Sequence, residues 1–204
     1  MPLAPTFFLL AAGGLWEQRA EVKQAGVKRP ALGRWALATI AIIALSTQYR
    51  PAAAAVAREG NWVAHWRAMG EALRDQFSPQ TTIALCPVGA LPFYSGLRTI
   101  DMLGLTEPRV ARAPADLRYW IPGHQRHDGR HVLDRRPDLI MLGNGPVVPQ
   151  QGPFVWQSVR FYEQDLAADP RLREDYRLWH LPLRDGTFAQ LFVRAGVTPL
   201  GSSR

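Results

Sequence analysis

Two apolar segments separated by a basic loop occupy the first 49 residues, and they constrain the chain more than any later motif. The first, 2–16 (PLAPTFFLLAAGGLW), carries no charged side chain. The second, 35–49 (WALATIAIIALSTQY), is apolar as far as Leu45. A helix that crosses a bilayer takes about 20 residues at roughly 1.5 Å each. The second segment reaches that length by drawing on Pro30–Gly33 and letting Arg34 snorkel to the interface. The first reaches it if the chain extends upstream of Met1, so one or two transmembrane helices are expected. A cleaved signal is the alternative: the first segment lacks a charged start, but the second has a basic flank and small residues at Ala52–Ala55. Between the segments stand Arg19, Lys23, Lys28, Arg29 and Arg34. The positive-inside rule puts that loop in the cytoplasm and everything after Tyr49 outside it. The expected organisation is a membrane anchor region over 1–56 and an exported domain over 57–204.

The charge balance fits this division. Of the formal +7, residues 1–56 carry six basic and two acidic side chains, and the remaining 148 carry 18 and 15. The excess is an orientation signal at the anchor, and the nearly balanced remainder, with its arginines spread out, argues against nucleic acid as a partner. One cysteine, Cys86, excludes an internal disulfide framework and any multi-cysteine metal site. Its place in an apolar strand before Pro87 reads as packing.

Beyond the anchor the pattern alternates helix and strand. Asn61 reads as an N-cap for a helix to Phe77, with Trp62, Trp66, Met69, Leu73 and Phe77 recurring at steps of three and four as a core stripe. Ser78-Pro79 ends it. Buried strands are expected at Thr81–Cys86, Arg98–Met102 and Asp138–Leu142. A short helical turn lies within Pro87–Gly96, Thr106 caps a helix TEPRVAR, and another helical piece follows around His131–Arg135. After Gly143-Asn144-Gly145 the charged stretch Phe161–Leu172 is partly helical. The strands Arg177–Leu183 and Thr187–Arg194 close as a hairpin through Asp185-Gly186. These elements predict an α/β domain, layered around a mixed sheet with a C-terminal β-hairpin.

Few residues can carry chemistry. Asp101 ends a predicted strand, where open α/β sheets place ligands, so it could hold sugar hydroxyls or act as a base; alternatively it caps the turn at Gly104. The polar stretch Pro122–His131 contains His124, His127 and His131. Gly129 interrupts the helical spacing of the last two, and Asp128 adjoins His127, so the H-E-x-x-H zinc pattern is not met and no metal is expected. His124 beside Arg126 and Arg130 suits recognition of an anion or of hydroxyls, with a polyprenyl-phosphate head group as a fitting target. Dinucleotide, P-loop and nucleophile-elbow fingerprints do not occur, so no cofactor is expected.

The stretch Val88–Arg112 (VGALPFYSGLRTIDMLGLTEPRVAR), then Pro122-Gly123-His124 and Arg135–Leu142 (RRPDLIML), resembles the C-terminal exported domain of bacterial GT-C membrane glycosyltransferases, the terminal arabinofuranosyltransferases among them. In these a G-A-x-P-Y-Y-S-G, D-x-x-G-L-x-D, I-A-R, G-H, R-P-D succession recurs. The resemblance covers about Thr81 to Leu142, with Phe93 in place of one tyrosine and Glu107 in place of an aspartate. It implies a polyprenyl-phosphate sugar donor, a glycan acceptor, and a place in the bacterial inner membrane with the C-terminal domain on its outer side. Tyr94, Asp101 and His124 are carried over as members of the shared motif with no assigned role. The catalytic carboxylate of such enzymes lies in an early exported loop, to which nothing here corresponds. The expectation is therefore a C-terminal fragment, not catalytic alone, from a truncated or split gene or working with an upstream membrane chain, or else an envelope binding or assembly module without transferase activity.

Overall fold

The computed structural model describes Thr39 and residues 55–57, 60–118 and 121–200. The chain divides into two units, Met1–Val56 and Ala57–Arg204. In the first, Thr39, Ala55 and Val56 are described, and all are helical. The two apolar segments and their basic loop otherwise lie outside the described residues. Among the described residues no helix is long and apolar enough to cross a membrane.

In the second unit, helix α1 covers residues 60–76. Asn61 does not cap it: Gly60 is already helical, as are residues 55–57. The expected stripe holds over its C-terminal half, where Met69, Leu73 and Phe77 are buried, and surfaces at Trp62, which is 38% exposed. Six strands follow: β1 (Thr82–Leu85), β2 (Arg98–Asp101), β3 (Leu139–Ile140), β4 (Val147–Val148), β5 (Tyr176–Pro182) and β6 (Phe188–Arg194). They form one mixed sheet in the order β2-β1-β3-β6-β4, with β5 paired to β6. The strands β1, β2 and β3 are parallel, and β6 is antiparallel to β3, β4 and β5. The mixed α/β sheet and terminal hairpin are thus present, with β4 as a strand the sequence pattern does not reveal.

Alternation along the strands builds two cores. Ile83, Leu85, Leu139, Met141, Leu191 and Val193 face one side, where Met69 and Leu73 of α1, Phe77 just after it and Leu91 of α2 (Ala90–Ser95) meet them. Ala84, Cys86, Ile140, Leu142 and Phe192 face the other. There they pack on Val132 and Leu133 of α4 (Gly129–Asp134), Leu166 of α5 (Gln164–Ala168) and Leu172 of α6 (Pro170–Asp175). The period of two that alternates side chains across a strand is what divides the apolar residues this way.

The connection β1–α2–β2 runs outward on the first face, and β2 to β3 returns past β1 on the second. The direction of winding therefore reverses between β1 and β3, the arrangement in which open α/β sheets leave a crevice beyond the carboxyl ends of the strands. Helix α3 (Pro108–Ala111) starts later than expected, with Glu107 at its N-cap position and no side-chain cap. Thr106 is drawn away instead, its backbone N–H and hydroxyl both donating to Asp101. Helix α4 is regular in spite of Gly129, because Asp128 caps it by accepting from His131 N at 2.9 Å. Glycine fits there since a Cβ would lie 2.5 Å from the Leu166 backbone nitrogen.

Candidate functional site

Three turns leave the carboxyl ends of β1, β2 and β3, and they set the chemistry of that edge. After β2, Asp101 is 1% exposed. Its Oδ1 accepts from Leu103 N at 2.8 Å and Gly104 N at 3.1 Å, and its Oδ2 from Thr106 N at 2.5 Å. The carboxylate is spent on the turn, which Gly104 (φ 79°) packs against the backbone of α3.

After β3, Gly143, Asn144 and Gly145 all take positive φ, at 62°, 60° and 71°. Three left-handed residues in a row favour glycine and asparagine. Gly143 also abuts Ser158, whose Oγ would collide with an added Cβ. The crevice between β1 and β3 is filled from within by Glu163, a fully buried residue at the end of the 3-10 turn Phe161–Glu163. Its oxygens accept from Gly143 N (2.9 and 3.1 Å) and Arg160 N (2.8 Å), and the Cys86 thiol donates to it at 3.5 Å. Burial pushes the Glu163 carboxyl above its ordinary range against the pull of these donors, and burial beside Glu163 raises the Cys86 thiol. Cys86 is therefore a packed, protonated thiol, as its strand position suggests.

Next to this plug a cleft of about 500 Å³ opens between the N-terminal half of α1, the Gly143–Gly145 turn and Ser158–Arg160. Trp62, His65, Asn144, Ser158 and Arg160 line it, and among the described residues no Asp or Glu does.

The residues expected from sequence are distributed around the domain. Tyr94 is half-buried on α2, wedged against Gly70 of α1 with the Arg67 guanidinium 5.2 Å from its ring centre. It docks two helices on the first face. His124 bonds through Nδ1 to the Pro122 carbonyl at 3.0 Å and lies 5.1 Å ring to ring from Tyr162, adjacent to Glu163 in sequence. Arg126 donates to the Ala113 carbonyl. Together with Asp116 N to Gln125 O (2.6 Å), this closes the loop that carries His124. Arg130 is exposed on α4, where its charge helps lower Asp169. Each basic residue of that stretch thus has its own neighbour. His127 lies between Asp165 (3.4 Å) and Asp116 (4.0 Å), and His131 is 3.5 Å from Glu107. Among the described residues no three His, Cys, Asp or Glu side chains are placed to hold a metal.

Sequence reasoning missed Glu163 and the cleft. Glu163 meets Gly143 from 20 residues away, and the two walls of the cleft are farther apart still along the chain. Only the fold brings them together. The Gly143-Asn144-Gly145 run was the one visible signal, as a turn directly after a strand.

No curated protein matches the chain, and no solved structure does. A family model, a domain of unknown function (DUF8728), matches residues 41–197. That span is most of the chain and takes in every strand described above, so the protein belongs to the DUF8728 family.

Proposed function

We propose that this chain is the C-terminal part of a polyprenyl-phosphate-sugar-dependent membrane glycosyltransferase of the bacterial cell envelope. Residues 1–56 hold one or two transmembrane helices, and 57–204 form a domain outside the cytoplasm that recognises the donor head group or the glycan acceptor. The observation that carries this reading is the carboxyl edge of the parallel strands. Two of the motif blocks that resemble GT-C tails border it separately: Asp101 caps the turn after β2, and the His124 loop touches Tyr162, next in sequence to Glu163. The basic loop between the apolar segments supports the topology.

The role is recognition and not sugar transfer. Asp101, the motif carboxylate at the end of β2, has both oxygens committed to backbone donors, which suits a scaffold better than a general base. The same feature favours the second reading, a membrane-anchored binding or assembly module of the envelope.

Two measurements test the proposal. Alkaline phosphatase fused after Arg204 should be active and green fluorescent protein dark, and a bright fluorescent fusion would overturn the topology. Deleting the gene should leave an envelope glycan short of a terminal sugar, restored by the full chain together with any upstream membrane chain. An unchanged glycan would remove the transferase reading and leave the binding module.

A further inference from the structure

The cleft beside the Glu163 plug has the composition of a ligand site that none of the motif residues accounts for. Its floor is an aromatic ring already held in place. Trp62 stacks on Trp66 at 5.5 Å and 30°, and His65 meets it edge-on at 6.1 Å. One face of the Trp62 ring is backed by Trp66, and the residue stays 38% exposed where it lines the cleft. A rigid indole offers a flat apolar platform with a polar edge.

The opposite wall is polar and cationic. Arg160 is exposed and makes no salt bridge among the described residues, although its charge acts on the buried Glu163 carboxyl. Asn144 adds an amide held at φ 60° by the glycines on either side, and Ser158 packs on Gly143. Asp185 is the carboxylate that senses His65, and it is occupied by Thr187, through N at 3.0 Å and Oγ1 at 2.6 Å.

An aromatic platform with an amide and a guanidinium beside it matches one ligand chemistry, the Ser158 hydroxyl being spent on the Val155 carbonyl at 2.7 Å. The apolar face of a sugar ring lies on the indole, its hydroxyls meet the Asn144 amide, and a negative group meets the guanidinium. A neutral apolar ligand would leave Arg160 desolvated without a partner, and a bare inorganic anion would leave Trp62 unused. We infer that this cleft binds an anionic saccharide, a sugar ring carrying a phosphate or carboxylate. The assignment stands on the cleft itself and holds with or without the membrane tether.

The test uses the full chain in mild detergent, titrated with glucose 1-phosphate and followed by tryptophan fluorescence and calorimetry. Saturable binding is expected, weakened about tenfold or more by Trp62→Ala and by Arg160→Ala, and retained within a few-fold by Trp62→Tyr and Arg160→Lys. Glucose alone and inorganic phosphate alone should each bind at least about tenfold more weakly. Circular dichroism keeps loss of fold apart from loss of binding. A second arm replaces glucose 1-phosphate with the same sugar phosphate on a short isoprenyl chain. Tighter binding there names a lipid-linked source and equal binding a soluble one, and either result supports the site. Absence of saturable binding in both arms, binding indifferent to both alanine variants, or phosphate binding as tight as the sugar phosphate would overturn the inference. None of these outcomes depends on where the domain resides in the cell.

Discussion

The turns after β2 and β3 are built on the same plan with opposite reach. Each contains glycine at positive φ, and in each a buried carboxylate takes up backbone N–H groups. After β2 the carboxylate is Asp101, which serves donors two, three and five residues ahead of itself and shuts the turn against α3. After β3 it is Glu163, which reaches back 20 residues to Gly143 and holds Arg160 in the same grip. The first turn is self-sufficient and closed. The second depends on a distant segment, and the wall so created borders the cleft. A local cap makes a scaffold, whereas a long-range one can position a site.

The largest effect is expected on the closed turn. Asp101→Ala strands three backbone donors and the Thr106 hydroxyl, and should cost roughly 3–4 kcal/mol in urea unfolding. A loss under about 1 kcal/mol would show that the turn is held by its packing on α3 and not by the carboxylate.

Glu163 should cost less to remove and should do so with a pH signature. Glu163→Ala is expected to lose about 2–3 kcal/mol, and Glu163→Gln about 1 kcal/mol. The folded carboxyl titrates above its ordinary range, so its contribution is fully present below about pH 4 and is lost as pH rises through the folded value. Unfolding of the parent chain compared with Glu163→Gln should therefore show the parent losing its advantage as pH rises. Asp138 gives the opposite slope. Burial opposes its ionisation, but hydrogen bonds from Thr82 and Arg194 outweigh it, so its contribution is lost as pH falls. Equal pH profiles for the parent and Glu163→Gln would refute the buried-carboxylate account.

The smallest effects separate strain from crowding. Gly143→Ala meets both a φ of 62° and the Ser158 side chain, and should cost roughly 2 kcal/mol and distort the cleft. Gly186→Ala in the β5–β6 turn has a similar φ of 84° but open space around it, and should cost about 1 kcal/mol. If the two variants lost the same stability by thermal melting, Gly143 would not be serving the close approach to Ser158.

What the sequence alone determined rests on near neighbours. The strands TTIALC, RTIDM and DLIML, the Asp-Gly hairpin and the C-terminal half of the α1 stripe were legible because apolar period and turn chemistry act within a few residues. The cap role of Asp101 was open to sequence for the same reason, since its acceptors and donors share one short turn. The start of α1 was misread because Asn61 has the right chemistry for a cap, but Gly60 before it is already helical. Thr106 was misassigned because Asp101 captured its donors. Only the tertiary structure decided β4, the reversal of winding between β1 and β3, the Glu163 plug and the cleft with Trp62 and Arg160 on opposite walls. Those features join residues far apart along the chain, Gly143 with Glu163 and Trp62 with Arg160, and no local rule couples such residues. Burial of the two cores brings them together, and the buried Glu163 then holds the Gly143 turn and Arg160 in one wall of the cleft.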